Sequence, residues 1–335
     1  MLKEAELRID LSKVDKNVKA LSKDKVPFLV IKANCYGVGN SVIKPLFEMG
    51  YKHFAVSTEY AASEIIKIIP EATILIMTPV KEFVNKNFIY TISTIEQLKN
   101  VPTDVRFHIK FDTLMGRLGI FDHEVDEAIS ILKDRNLLPH GIYSHVPSAD
   151  DVEVTLKQID DFKLIVNKFK DFDIKCIHLA QSQTSANYDI EYCNMVRIGL
   201  GMWGLCSDDI ERDLCTVKLD LALSLVAPVL QTKEYKGLIG YNLSEEVDGK
   251  IHTVRFGYAD GLPKQTTGFK FQKEEATIVG KVCMCQVIVQ SDKDIEELEI
   301  FGDNNSIYEL TSYADRMVYE LLVNMSPRIV RKIIN

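Results

Sequence analysis

Several features that would assign the chain to a specialised class of protein are scarce or missing. The 335 residues include only 17 Gly, 10 Pro and one Trp, while 46% are hydrophobic. This composition excludes collagen-like, low-complexity and intrinsically disordered chains. No run of 18 apolar residues occurs, so we expect no membrane-spanning segment. The first residues carry charges throughout and lack an apolar core, so we expect no secretory signal.

An excess of positive charge is also missing. The chain has 40 Lys and Arg against 48 Asp and Glu, for a net charge of −8. Neutralising a phosphate backbone requires clustered cations, so this balance argues against a general nucleic-acid binder.

Paired cysteines are missing as well. The seven cysteines are odd in number and none forms a CxxC pair, so we expect reduced thiols in a cytoplasmic protein. Cys283 and Cys285 could share one face of a strand, but no further ligand pair accompanies them, and we expect no metal site. The remaining cysteines are Cys35, Cys176, Cys193, Cys206 and Cys215.

What is present is an alternation of apolar β-like runs with helical patterns. Strands that are apolar on both faces and joined by helices indicate a buried parallel sheet. Eight such runs favour a (β/α)8 TIM-type barrel over a doubly wound sheet of five or six strands. The strand-like runs are 27–33, 53–57, 72–77, 88–93, 105–112, 140–146, 175–180 and 194–200. The helical patterns are 41–50, 58–69, 94–101, 124–136 and 151–172, and Ser93 to Glu96 forms a capping-box pattern.

The alternation of strand-like runs and helical patterns ends near residue 215. Strand-like runs bounded by turns follow, and residues 312–335 form a helical pattern. A length of 335 residues fits about two domains. We therefore expect a barrel over residues 1–215 and a mainly β domain over residues 216–335, without a flexible linker. The later runs are 221–235, 237–243, 250–259, 276–291 and 298–302.

Polar residues at the carboxyl ends of the barrel strands are the candidates for chemistry, because active sites of this fold lie there. Lys32 ends the first barrel strand beside apolar residues that would desolvate its amine and lower its pKa. A lysine there can also extend to solvent, His145 and His178 can be core histidines, and Ser182 can be a helix cap. Arg197 lies inside an apolar strand, where a guanidinium needs partners.

Together these residues resemble one family, the pyridoxal-phosphate-dependent alanine racemases, from about residue 5 to the end of the sequence. The resemblance rests on spaced motifs in a fixed order. These are VIKANCYGVG (30–39), IKFDTLMGRLG (109–119), IHLAQS (177–182), NMVRIGLGMWGL (194–205), IGYN (239–242), GYADG (257–261), GKVCM (280–284) and the segment 319–331.

The resemblance implies pyridoxal 5'-phosphate as cofactor. Lys32 matches the lysine that joins it through a Schiff base, and Arg197 matches the arginine that faces its pyridine nitrogen. That arginine keeps its own proton and favours racemisation over transamination. The phosphate contacts and the flanking histidines would be Tyr36, Ser182, the backbone N–H groups of Gly199 and Leu200, Tyr319, His145 and His178.

The resemblance also implies a second acid–base group and a shared site. Tyr241 matches a catalytic tyrosine that the partner subunit of a homodimer supplies, and Tyr258 and Met284 match substrate-side residues from the same partner. Arg117 matches the arginine near the substrate carboxylate and the cofactor's phenolic oxygen, and Lys110 matches a lysine that is carbamylated in some members.

The implied function is the interconversion of L-alanine and D-alanine by proton transfer between Lys32 and Tyr241, which supplies D-alanine for peptidoglycan. Three alternatives stay open at this point. The chain could racemise serine, lysine or a range of amino acids, it could be a non-catalytic pyridoxal-phosphate carrier, or it could be a barrel enzyme for phosphate-bearing metabolites that forms no Schiff base.

Five positions depart from the family pattern, and none removes a proton-transfer group. Leu114 and Asn242 replace glycines, Gln181 replaces an asparagine, Cys285 replaces an aspartate and Trp203 replaces a tyrosine. The changes at Leu114 and Cys285 bear on substrate preference and rate, because they lie beside the residues that match the substrate site.

Overall fold

The structure, a computed structural model, describes residues 3–334. Its central feature is a closed barrel of eight parallel strands, in which the last strand pairs with the first. Strand β1 (Glu6–Ile9) lies outside the barrel. The barrel strands are β2 (Val26–Val30), β3 (His53–Val56), β4 (Thr73–Ile76), β5 (Phe88–Ile92), β6 (Arg106–Lys110), β7 (Gly141–Tyr143), β8 (Cys176–Gln181) and β9 (Met195–Ile198). Each coincides with a predicted run, so the (β/α)8 prediction is confirmed.

Helices cover the outside of the barrel and connect its strands. They begin where side-chain oxygens cap the first backbone N–H groups, as Asp10, Thr58 and Asp151 do. The barrel-domain helices are α1 (Leu11–Ser22), α2 (Lys32–Tyr36), α3 (Ile43–Glu48), α4 (Glu59–Ile68), α5 (Ile95–Asn100), α6 (Val125–Asp134), α7 (Val152–Lys168) and α8 (Ser182–Asn187).

The capping box before α5 is shifted by one residue from its predicted position. Thr94, rather than Ser93, accepts the hydrogen bond at the start of the helix, from Gln97 N at 3.1 Å. The Gln97 side chain in turn accepts from Ser93 N at 3.0 Å. Glutamine performs the reciprocal role that the pattern assigned to Glu96.

The second domain is built on a mixed sheet, and the mainly β prediction is confirmed. Strand β10 pairs with β1, β11 and β15, so it is the centre of this sheet. Besides β1, the strands of the sheet are β10 (Leu223–Ile239), β11 (Glu245–Val254), β12 (Lys270–Phe271), β13 (Ala276–Val279), β14 (Val287–Gln290), β15 (Glu297–Phe301) and β16 (Val330–Ile333). The remaining helices are α9 (Asp209–Leu214), α10 (Ile307–Tyr313) and α11 (Val318–Val323).

The carboxyl-terminal segment is only partly helical, so the helical prediction for residues 312–335 is wrong at its end. After α11, residues Val330–Ile333 form β16, which pairs in parallel with β1. Pro327 cannot continue a helix, and β1 offers an edge with unpaired backbone groups. Asn335 lies outside the described residues.

Strand β1, near the start of the described chain, pairs with β16, near its end. Residues Glu6–Ile9 lie in the second sheet, between β10 and β16, although a division at residue 215 assigns them to the barrel. One continuous apolar core contains both barrel residues such as Leu29 and sheet residues such as Leu298. The domain bounds of 1–215 and 216–335 stay a prediction. Across residues 3–334 no helix combines the length and the apolar character needed to cross a membrane.

Candidate active site

A cavity of about 520 Å³ opens at the carboxyl ends of the barrel strands. In this fold these ends carry the catalytic groups, because every strand points its following loop into the same space. The barrel-borne residues of the sequence prediction meet there. They are Lys32, Tyr36, Arg117, His145, Ser182, Arg197, Gly199 and Leu200, joined by Tyr319 from α11 and by Lys110 at the end of β6.

Lys32 is followed by a left-handed turn. The φ angles of Ala33, Asn34, Cys35 and Tyr36 are 51°, 54°, 54° and 58°, a conformation that L-residues rarely adopt in succession. Each such residue costs roughly 1–2 kcal/mol. Because this segment contains no glycine, the surrounding structure must enforce the turn.

The carboxyl-terminal segment supplies that enforcement. A Cβ atom on Gly37 would lie 1.8 Å from the carbonyl oxygen of Leu322, so α11 packs directly on the backbone after the turn. Arg331 donates a hydrogen bond of 2.9 Å to the Gly37 carbonyl oxygen. The mainly β domain thus fixes the backbone that presents Lys32.

The amine of Lys32 lies among cations. Desolvation by the surrounding protein lowers its pKa, and the positive charges of Arg117 and Arg197 lower it further. The side chain remains accessible from the cavity. An accessible amine with a lowered pKa is a competent nucleophile and base.

One wall of the cavity carries hydroxyl groups and backbone N–H groups. The Ser182 hydroxyl accepts hydrogen bonds from Gly199 N at 3.0 Å and Gly201 N at 3.3 Å. A Cβ on Gly199 would lie 2.2 Å from the Tyr36 hydroxyl oxygen, so a larger residue would displace that tyrosine. The Tyr36 and Tyr319 rings lie beside each other, with centroids 6.0 Å apart. Hydroxyls and backbone N–H groups of this kind suit a phosphate.

Arg197 is a buried guanidinium, 4% exposed, whose partners are all neutral. It donates to His178 Nδ1 at 2.7 Å, to the Ser144 and Leu179 carbonyl oxygens at 2.8 and 2.9 Å, and to His145 Nδ1 at 3.1 Å. Within the described part of the chain, no carboxylate forms a salt bridge with it. Burial lowers its pKa to about 10, which leaves it charged at neutral pH.

His145 is neutral beside this arginine. Burial and then the positive charges of Arg197 and Arg117 lower its pKa to about 3. Its ring lines the cavity and accepts from the guanidinium, so it can pack against a bound group without adding charge.

The loop that carries Arg117 is organised by Asp112. The carboxylate accepts hydrogen bonds from the backbone N–H groups of Leu114, Gly116 and Arg117 at 3.2, 2.9 and 2.7 Å. The Leu114 side chain is 52% exposed, so this departure from the family pattern does not fill the cavity. Sequence reasoning missed the role of Asp112, although an Asp at the start of a turn often accepts hydrogen bonds from the backbone that follows it.

Lys110 is 4% exposed at the end of β6. Desolvation, then the charges of Arg117 and Arg197, lower its pKa to about 8, while Asp112 opposes the change. A lysine with this pKa is partly neutral near pH 7, and a neutral amine can react with carbon dioxide. Carbamylation of Lys110 stays a prediction.

Tyr241, Tyr258 and Met284 lie in a second cavity, of about 620 Å³, on the mainly β domain. The structure therefore does not bring them together with Lys32 inside one chain. The Tyr241 side chain is 66% exposed, and its hydroxyl makes no hydrogen bond within residues 3–334. The Lys264 ammonium lies 4.2 Å from the centre of the Tyr258 ring.

Two other departures from the family pattern have visible partners. The Gln181 side chain caps α8 by accepting from Gln183 N at 2.7 Å, so it acts in local structure. Cys285 Sγ lies 3.4 Å from the Arg328 guanidinium, whose Nε donates to Asp260 at 2.7 Å.

The fold and this cavity define a (β/α)8 enzyme with a desolvated lysine, a buried arginine and a phosphate-compatible wall. Residues 9–207 match the family model for the alanine racemase N-terminal domain, and residues 222–333 match the model for the alanine racemase C-terminal domain. The chain therefore belongs to the alanine racemase family, and it is an isomerase.

Individual relatives agree with this assignment. The alanine racemase of Aquifex aeolicus is 30% identical over 353 aligned residues, which cover 98% of each chain. The crystal structure of the Bacillus anthracis alanine racemase with bound L-Ala-P is 27% identical, with a TM-score of 0.88, and the match covers 100% of this chain and 96% of that one. The Bartonella henselae alanine racemase with covalently bound pyridoxal phosphate matches with a TM-score of 0.85 at 22% identity, over 99% and 100% of the two chains.

Proposed function

We propose that the chain interconverts L-alanine and D-alanine with pyridoxal 5'-phosphate as cofactor, as a homodimer in which each site uses residues of both subunits. The single observation that carries the proposal is the position of Lys32, beside two cations and in the same cavity as the hydrogen-bonding wall. The names of the relatives agree with this reaction.

The cavity fits the cofactor. Tyr36, Ser182, Gly199 and Leu200 would hold its phosphate, since they present hydroxyls and backbone N–H groups on one wall of the cavity. Tyr319 would add a further contact, and Lys32 would hold the cofactor covalently. When bound, the cofactor withdraws electrons from the substrate Cα and makes its hydrogen acidic.

Racemisation requires proton transfer at both faces of Cα. Lys32, whose amine has a lowered pKa, would take or return the proton on one face. Tyr241 of the partner subunit would serve the other face. The Tyr241 hydroxyl is exposed and has no hydrogen-bond partner within the described chain. We expect this of a residue that completes the site of a neighbouring subunit.

The arginines would perform different tasks. Arg197 stays charged among neutral partners and would keep its proton while it faces the pyridine nitrogen, which favours return of the proton to Cα. Arg117, on the loop that Asp112 organises, would bind the substrate carboxylate through charge-assisted hydrogen bonds. Tyr258 and Met284 of the partner subunit would limit the space for the substrate side chain.

In the cell, this activity would supply D-alanine for peptidoglycan, in the cytoplasm where the cofactor and L-alanine are available. A small amino-acid substrate is the only partner that the proposal requires besides a second copy of the chain.

The decisive assay adds pyridoxal phosphate to the purified chain and measures both enantiomers from a panel of L-amino acids. We expect D-alanine to form faster than D-serine or D-lysine. Faster conversion of serine or lysine would reassign the substrate. Bound cofactor with no D-product from any amino acid would support a carrier, and no cofactor binding would reject the proposal.

Two variants test the shared site together. Lys32→Ala should lose both activity and the covalent link, whereas Tyr241→Phe should lose activity and keep cofactor binding. Mixing the two inactive proteins should restore about a quarter of the native activity, because half of the dimers are hybrids with one intact site of two. Tyr235→Phe, a neighbouring tyrosine that donates to the Leu238 carbonyl oxygen, is the matched control and should keep full activity. A mixture without activity would contradict the shared site.

A further inference from the structure

A line of histidines leads away from Arg197 through the barrel. His178 Nδ1 lies 2.7 Å from the Arg197 guanidinium, and His178 Nε2 lies 2.9 Å from His108 Nδ1. His108 Nε2 lies 3.1 Å from His140 Nδ1. His108 and His178 are fully buried, while His140 is half-buried at the amino end of β7, on the opposite side of the barrel from the cavity.

The direction of these hydrogen bonds follows from the arginine. A guanidinium can only donate, so His178 Nδ1 must accept and the His178 proton must lie on Nε2. That N–H then donates to His108 Nδ1, which places the His108 proton on Nε2. The same step makes His140 Nδ1 an acceptor. One donor at the start of the line therefore sets the tautomer of all three rings.

The electrostatic surroundings keep the three rings neutral. Burial and neighbouring cations lower the pKa of His178 and His108 well below the ordinary value. The pKa of His140 is also lowered, by burial and by Arg106 and Lys175. A doubly protonated ring would present an N–H where each bond requires an acceptor.

The tautomers of the three rings, which we call the tautomer order, exclude a metal site at His108, His140 and Cys176. The ligand atoms of His108, His140 and Cys176 lie within 4.8 Å of one another, a spacing that suits a transition metal. A metal would need the lone pair of His108 Nε2. Because His108 Nδ1 accepts from His178, the His108 proton occupies Nε2. That nitrogen therefore has no lone pair to offer a metal.

We propose that His108 and His140 are positioning residues, which hold the His178 ring where its Nδ1 accepts from Arg197 and thereby keep the guanidinium in place for the cavity. Their effect on turnover rests on the proposed function, in which Arg197 faces the cofactor. The tautomer order itself is a property of the chain without cofactor. Neither residue touches the cavity, and His140 and Cys176 lie outside the motifs that carry the family resemblance.

The first experiment measures the tautomers directly. In the ¹⁵N-histidine-labelled apoprotein, nitrogen NMR should show Nε2 protonated and Nδ1 unprotonated in His178, His108 and His140. The seven histidines are assigned by single substitutions. A proton on Nδ1 of His178 or His108, or on both nitrogens of either ring, would overturn the proposal.

The second experiment compares two substitutions of His108. Asn places a carbonyl oxygen near the position of Nδ1 and can still accept from His178, whereas Leu cannot. We expect His108→Leu to lower kcat roughly tenfold, equal to about 1.4 kcal/mol, with KM within about twofold. His108→Asn should recover most of that loss and keep His178 protonated on Nε2. Equal kcat in the two variants would overturn the proposal.

A milder variant covers the case in which His108→Leu does not fold. His140 is half-buried, so His140→Ala should fold, lower kcat about threefold and leave KM within about twofold. His252→Leu is the matched control, because His252 is a fully buried histidine of the second domain. Its kcat per folded molecule should be native. A native kcat in folded His140→Ala would contradict the positioning role of His140.

A zinc titration tests the excluded metal site. After dialysis with zinc chloride, the chain should retain no stoichiometric zinc. One equivalent that is lost in Cys176→Ala would overturn the tautomer order. If the native chain shows the expected tautomers but no racemase activity, the proposed function fails while the tautomer order stands. If it racemises alanine and the His108 and His140 variants match it, only the positioning role fails.

Discussion

Arg331, in the last strand of the second sheet, donates a hydrogen bond of 2.9 Å to the carbonyl oxygen of Gly37, five residues after Lys32. The same guanidinium donates to the carbonyl oxygens of Ser326 and Ile329, at 2.6 and 2.7 Å. One side chain therefore ties the carboxyl-terminal segment to the left-handed turn at the active-site lysine. The geometry of that lysine depends on residues almost three hundred positions away.

Replacement of Arg331 should loosen this turn. We expect Arg331→Ala to lower the free energy of unfolding by about 2 kcal/mol, because four carbonyl oxygens lose a charged donor. Urea unfolding measures this change, and a titration with pyridoxal phosphate should show weaker binding. Arg316→Ala removes an exposed arginine and should change stability by less than about 0.5 kcal/mol. Equal effects of the two substitutions would argue against the role of Arg331.

Gly37 should tolerate no side chain. Gly37→Ala places a Cβ 1.8 Å from a backbone oxygen at a φ of 79°, so we expect a loss of more than about 3 kcal/mol. Gly50 provides a matched control, since its φ is 104° and nothing lies within 4 Å of the Cβ position. Gly50→Ala should cost only about 1 kcal/mol, from backbone conformation alone. Similar melting temperatures for the two variants would contradict the packing of α11 on Gly37.

Lys110 should make stability depend on alkaline pH. Its pKa falls from 10.5 to about 8 on folding, so the unfolded chain binds more protons between these values and stability rises with pH there. Below pH 8 the buried charge is a cost of at most about 3 kcal/mol. Lys110→Met should therefore gain most over the native chain at pH 7, and the gain should shrink towards pH 10.5. A gain that is constant with pH, measured by urea unfolding, would contradict the lowered pKa.

Cys285→Asp should strengthen the contact with Arg328. Arg328 already pairs with Asp260 at 2.7 Å, and a carboxylate at position 285 would replace the Cys285 sulfur at 3.4 Å. The arginine is partly exposed, so we expect a gain of at most about 1 kcal/mol that decreases with added salt. Thermal unfolding at low and high salt measures it. Cys283→Asp is the control, and an equal gain there would show that added negative charge alone explains the result.

The sequence predicts the barrel well because its strands are buried on both faces. Phe88–Ile92, for example, is buried at every position, so it reads as a continuous apolar run. Glu6–Ile9 and Val330–Ile333 were missed because each is a four-residue strand with alternating or charged residues. Their pairing depends on contacts between distant parts of the chain, which local patterns do not contain.

In the candidate active site, too, the sequence predicted some features and missed others. The family resemblance predicted Lys32, Arg117 and Arg197 as site residues, and all three line one cavity. The left-handed turn after Lys32 could not be predicted, since its four residues include no glycine and the packing of α11 enforces it. The line from His178 to His140 was also missed, because single histidines in separate strands give no pattern until the barrel closes.

Strand β1 has a consequence for how the protein is made. It pairs with β10 on one side and with β16 on the other. During translation, residues 6–9 leave the ribosome before the barrel strands, yet both partners of β1 are synthesised after the barrel. The nascent chain therefore carries β1 unpaired until β10 has emerged, and the second edge of β1 stays open until residue 333 has emerged. A fragment that begins at residue 216 would likewise lack β1, an inner strand of its sheet. The second domain therefore cannot be completed without residues 6–9.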